Sequence, residues 1–89
     1  MVLKIDRSAD GKYVVLRLCG RMQFEHVEQL KAEMEGIAKV VLDLQDVKLV
    51  DRDAVRFLAV CEENGTELRR CSPYIREWIA KEKNTPKSD

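Results

Sequence analysis

Four aspartates crowd one short stretch of the chain, Asp43, Asp46, Asp51 and Asp53, within KVVLDLQDVKLVDRDAVRFLAV at residues 39–60. Carboxylates at such density suit a magnesium site or an aspartyl-phosphate receiver, which open α/β sheets place beyond the carboxyl ends of their strands. The chain has too few β-α units for a receiver, and all four acids belong to one strand and its turn. The metal reading is therefore set aside, and no cofactor is expected. His26, the single histidine, lies between Glu25 and Glu28 and is expected at the surface. Cys19, Cys61 and Cys71 show no C-x-x-C spacing, and two of them fall in apolar-periodic segments, so free buried thiols are expected. One histidine and cysteines this far apart build no metal cluster, and no Ser or Cys has an identifiable base partner. Neither a glycine-rich dinucleotide turn nor a phosphate-binding lysine motif is present. The chain is expected not to be an enzyme.

Elements that would position these residues follow from the apolar pattern. Val40, Leu42 and Leu44 alternate with Val41 and Asp43, the period of a strand with one drier and one wetter face. A tight acidic turn follows, and from Ala54 the residues Val55, Leu58 and Ala59 take up helical spacing, with Phe57, Val60 and Cys61 widening the stripe of the most buried helix. Asp51 stands at the N-cap of that helix, and Asp53 adds negative charge at the positive end of its dipole.

Upstream, Leu3 and Ile5 open a short strand that leads into a turn at Ser8 to Gly11, and Tyr13 to Arg21 forms the second strand of that hairpin. Phe24, Val27, Leu30 and Met34 recur at helical spacing, with Gly36 as the left-handed cap. Downstream, Asn64-Gly65 ends the central helix, Thr66 to Cys71 is a last strand, and Ser72-Pro73 starts a helix with Ile75, Trp78 and Ile79 inward. The predicted order is β-β-α-β-α-β-α. It implies a single small α/β domain over residues 1–82, a mixed, mostly parallel four-stranded sheet with helices mainly on one face, and a frayed polar tail at 83–89.

Composition narrows the class. The 89 residues hold sixteen basic and sixteen acidic side chains, a formal net charge of zero, which gives no electrostatic footprint for nucleic acid or an anionic membrane. The longest apolar runs fall far short of a bilayer span and the N-terminus lacks a signal-peptide core, so a cytoplasmic protein is expected.

The segment VVLDLQDVKLVDRDAV resembles the STAS family, the fold of the bacterial anti-sigma factor antagonists, in its hydrophobic strand, Asp-Leu, short turn and Asp-Ser-Ser-Gly opening a helix. LRRCSPYIREWI resembles that family's closing strand, Ser-Pro and terminal helix. The resemblance implies a regulatory protein-binding switch that captures an anti-sigma factor kinase until the second Ser of the turn is phosphorylated. Here Asp51 matches the family's Asp, Arg52 its first Ser, Asp53 its phosphorylated Ser and Ala54 its Gly. No hydroxyl lies in this turn. It is not phosphorylatable, and Asp53 supplies about one negative charge where phosphoserine carries roughly −1.5 to −2.

A non-catalytic protein-binding module is therefore expected, docking a protein partner through Asp46, Asp51, Arg52, Asp53, Arg56 and Phe57, with Asp51 fixing the turn. Helix capping and dipole complementarity explain Asp51 and Asp53 more readily than a functional charge does, since they need no partner, but leave Arg52 without a role. Two alternatives stand beside it. A small-ligand or nucleotide sensor would use the helix N-terminus as an anion site, against the repulsion of Asp51 and Asp53. A self-associating subunit would use the open sheet face or the first strand.

Overall fold

Two β-bulges decide how the central strand is used. A computed structural model describes residues 3–84, with β1 at Lys4–Asp10, β2 at Tyr13–Met22, α1 at Phe24–Met34, β3 at Val40–Val50, α2 at Arg52–Glu63, β4 at Glu67–Arg69 and α3 at Pro73–Asn84. The four strands form one sheet in the order β1-β2-β3-β4. β1 is antiparallel to β2, and both β2-β3 and β3-β4 are parallel. This is the architecture expected from the apolar pattern.

β3 extends well beyond the expected turn. Its register against β2 shifts twice, from Arg17↔Asp43 to Cys19↔Asp46 and from Gly20↔Val47 to Arg21↔Leu49, so β3 carries an extra residue at each step. Inward positions become Leu42, Leu44, Val47 and Val50, all buried. That spacing of two, then three, then three is not a strand period, which is why Gln45 to Val50 reads as a turn in sequence. Gly20, at φ 105°, supplies the backbone conformation opposite the second shift.

The hairpin also differs in length. β1 continues through Ser8, Ala9 and Asp10, and the reversal is the two-residue loop Gly11-Lys12 between the paired Asp10 and Tyr13. β4 is shorter than expected, three residues against six, and α3 takes in Lys83 and Asn84. The rest of the expected tail, 85–89, lies outside the described residues.

All three helices pack on one sheet face. Leu16, Leu18, Leu42 and Leu44 from the sheet join Leu30 of α1, Val55 and Leu58 of α2, and Ile75 and Ile79 of α3 in one buried cluster. Each large aliphatic side chain removed from water there contributes about 1.5–3 kcal/mol. Among the described residues the opposite face lacks a helix, yet Val41 and Asp43 on it are buried. The expected wetter side of β3 is thus dry, because Arg17 and Arg69 on the neighbouring strands lie over it; Arg69 reaches as far as the Tyr13 ring, 5.9 Å from its centroid.

Two ion clusters tie α3 to α2. Glu62 accepts from Lys83 and, with both carboxylate oxygens at 2.9 and 2.8 Å, from Arg76. The Lys83 hydrogen bond leads in holding the Glu62 carboxyl below its ordinary range, and Arg76 adds to it. A depressed folded-state pKa stabilises the fold above the unfolded value of about 4.3, and that stabilisation is lost as pH falls through the folded value. Glu62→Gln is therefore expected to lower the melting temperature at pH 7 by on the order of 5 °C. The gap from wild type should close as pH is taken from about 5 down to 3, followed by thermal melts across that range. A gap that stays constant would rule out the ion cluster as its source.

Candidate functional site

Asp51 stands where two helices begin. As N-cap of α2 it accepts from the Ala54 N–H through Oδ1 at 2.9 Å, and through Oδ2 it accepts from the Phe24 N–H, the first residue of α1, at 2.8 Å. Its own N–H donates to the Met22 carbonyl at 3.3 Å. One carboxylate thus supplies two helix N-termini with the acceptor their free N–H groups need, and its charge faces both dipoles. This fixes the corner where β2 and β3 end and α1 and α2 start. Both acceptor oxygens are committed to that task.

The other expected site residues fall into separate environments. Asp53, in the first turn of α2, is exposed, and Asp46 is half-buried at the first bulge of β3. Arg52 and Arg56 are exposed but engaged within the chain: Glu82 of α3 receives Arg52 Nε at 3.8 Å and Arg56 Nε at 3.3 Å. Phe57 is half-buried and, with Glu28, Lys31, Ala32, Met34 and Glu35, lines an open groove of about 480 Å³ between α1 and α2. The structure brings Asp51 and Asp53 to the corner. It places Phe57 more than one helical turn away, beside α1.

Two residues at the corner carry a signal that the sequence concealed. Phe24 is 66% exposed and Leu49 is 47% exposed, both outside the core their apolar character suggests. Phe24 occupies the first position of α1, before the inward stripe of Val27 and Leu30 begins, and the bulges turn Leu49 out of β3. A large apolar side chain at the first helical position, directly after a strand, is the available clue to Phe24. Nothing local marks Glu82 as the counter-ion of Arg52 and Arg56. Val60, expected to widen the buried stripe of α2, is 52% exposed.

His26 corrects the surface expectation. It is buried at 5% exposure, and its Nδ1 accepts from the Gln23 N–H at 3.1 Å, closing the first turn of α1. Burial raises the Cys61 thiol to about 11 and also pushes Cys71 up, the opposite of a reactive thiolate. Among the described residues, no three His, Cys, Asp or Glu side chains are placed together to hold a metal ion, and no helix is long and apolar enough to cross a membrane.

The architecture, a four-stranded sheet with three helices on one face, is shared with solved structures. The anti-sigma factor antagonist SpoIIAA in its unphosphorylated form superposes with a TM-score of 0.69 over 89% of this chain and 82% of that one, at 18% identity. The fold is SpoIIAA-like. The Bacillus cell fate determinant SpoIIAA in its phosphorylated form matches the same fold at a TM-score of 0.65 and 16% identity, over 91% and 83% of the two chains. A STAS domain antisigma-factor antagonist from Rhodobacter sphaeroides matches at 0.51 and 23% identity, over 81% and 91%. No family model and no curated protein matches the sequence. At these identities the SpoIIAA-like likeness speaks for the fold.

Proposed function

We propose that the chain is a non-catalytic regulatory module that binds a protein partner through the Asp51 corner. The observation that carries this reading is the exposure of Phe24 and Leu49 beside a carboxylate that holds the backbone of two helix N-termini. Rigid apolar side chains on a fixed frame, rimmed by charge, make a docking centre with little ordering cost. Asp53 and Asp46 supply an acidic rim. Arg52 and Arg56 join it when a partner carboxylate displaces Glu82.

The SpoIIAA-like fold supports a role of the anti-sigma factor antagonist type, and the turn's resemblance to the STAS motif, in which Asp53 takes the place of the phosphorylated serine, agrees with it. In that reading Asp53 holds the surface permanently near the charge of the phosphorylated state, and the partner resembles an anti-sigma factor kinase. Affinity capture from lysate with wild type, Asp53→Ser, Phe24→Ser and Arg52→Glu tests it. A partner held by wild type and reduced tenfold or more by Phe24→Ser and Arg52→Glu is expected. A partner that gains affinity on Asp53→Ser identifies Asp53 as a fixed phosphate mimic. Equal recovery by all four baits would remove the corner as the interface.

A further inference from the structure

On the sheet face turned away from the helices, one row of directly paired residues carries a charge on every strand. Asp6 of β1 pairs with Arg17 of β2, Arg17 with Asp43 of β3, and Asp43 with Arg69 of β4. Residues directly opposite across strands share a face, so the signs alternate, minus, plus, minus, plus, from one edge of the sheet to the other. Arg17 Nε lies 4.0 Å from Asp43 Oδ2, which confirms the shared face. With strands about 4.8 Å apart, the row is ~14 Å long. Asp43 lies low, its side chain 8% exposed, while Arg17 is half-exposed, Asp6 is exposed at the edge, and the Arg69 guanidinium leans across the face from β4, its Nε donating to Glu67 at 3.2 Å beside the Tyr13 ring.

We propose that this row docks a second copy of the chain, face to face. An even number of alternating charges is self-complementary under one kind of two-fold axis. Turn a second copy about an axis parallel to the strands, between β2 and β3, and Asp6 comes over Arg69 of the second copy, with Arg17 over its Asp43. Each contact then occurs twice. The other in-plane axis, across the strands, sets Asp6 over Asp6 and Arg69 over Arg69, so the row itself selects the orientation. Sheets packed this way stand about 10 Å apart, within the combined reach of arginine and aspartate side chains. The neighbouring row, Ser8, Val15, Val41 and Glu67, is small or apolar across its first three strands. Zero formal net charge means no overall repulsion opposes the approach. Asp51 itself lies past the end of β3, but Asp46 and Leu49 of its corner pair with Cys19 and Arg21, which follow Arg17 at alternate positions on β2, so the two docking surfaces adjoin along this side of the sheet.

Light scattering on the full chain at about 0.02 M and 0.5 M salt reads the proposal, since screening shortens the reach of such pairs severalfold between these limits. The mass of wild type, 10.3 kDa as monomer, is expected to double at low salt and about 0.5 mM chain, and to fall back at high salt. Asp6→Lys and Arg69→Asp should each weaken self-association tenfold or more, by facing like charges. An equal mixture of the two should recover the dimer, because Lys at 6 then faces Asp at 69 and the unaltered Arg69 faces the unaltered Asp6. Wild type that stays monomeric at low salt overturns the proposal, as does a dimer indifferent to Asp6→Lys. So does a mixture that fails to associate although both variants are folded by circular dichroism. Should Arg69→Asp not fold, Asp6→Lys alone decides.

Discussion

Asp51→Ala is expected to cost about 2–3 kcal/mol of stability, more than any other change at the corner. Two helix N-termini lose their acceptor at once, Ala54 N–H of α2 and Phe24 N–H of α1, and each cap of this kind contributes roughly 1 kcal/mol, with ionic character adding to it. For a domain of this size that is a fall in melting temperature on the order of 10–20 °C. Asp51→Asn is the informative companion. It keeps one acceptor oxygen and should recover about half of the loss. Asp53→Ala, which touches only the dipole of α2, should stay within about 1 kcal/mol. Thermal and urea melts of the three variants separate a carboxylate that builds the corner from one that decorates it. If Asp51→Ala melts with Asp53→Ala, the shared cap is not what holds the two helices.

Leu58→Ala is expected to be the most damaging single change in the core. Leu58 is fully buried on α2, the helix that packs between α1 and α3 against Leu16, Leu42 and their neighbours. Removing its side chain forfeits transfer energy and leaves a cavity, together about 2.5–5 kcal/mol. A domain this small has on the order of 5–10 kcal/mol in total, so the variant should be partly unfolded near 37 °C. Val60→Ala, two residues along the same helix, is the control. With Val60 half out in solvent, the change should move the urea midpoint little, within about 0.5 kcal/mol. Equal losses at the two positions would contradict the packing described.

Those two positions show where sequence is a good guide and where it is not. Helical spacing from Ala54 onward places Val55, Leu58 and Ala59 in the core, because a periodic stripe leaves a helix one face to bury. Val60 is apolar but lies past the edge of the stripe, and composition alone pulls it inside. The same error places Phe24 with Val27 and Leu30, although the first residue of a helix overhangs its end. The element order and the side of the sheet that the helices cover were legible, since Val14, Leu16, Leu18, Val40, Leu42 and Leu44 keep one face apolar. The run from Gln45 to Val50 was not, because two bulges replace the strand period with steps of three that belong to no regular element.

The candidate site was legible in its local part. Asp51 as an N-cap follows from its place before Ala54 and Val55. Its second bond, to Phe24 twenty-seven residues earlier, is tertiary and has no local signature. The same holds for Glu82 between Arg52 and Arg56. The His26 bond to the Gln23 N–H is local, but a histidine three residues into a helix gives no sign of its burial. The charge row Asp6, Arg17, Asp43, Arg69 depends entirely on strand register, which composition and periodicity do not carry.

The most direct test of the corner as the docking surface is amide hydrogen exchange of the chain, free and bound to the partner that wild type captures. New protection is expected at residues 46–57 and in the first turn of α1 from Phe24, with β1 and β4 unchanged by the partner. Protection confined to the open sheet face, with the Asp51 corner exchanging as in the free chain, would contradict it.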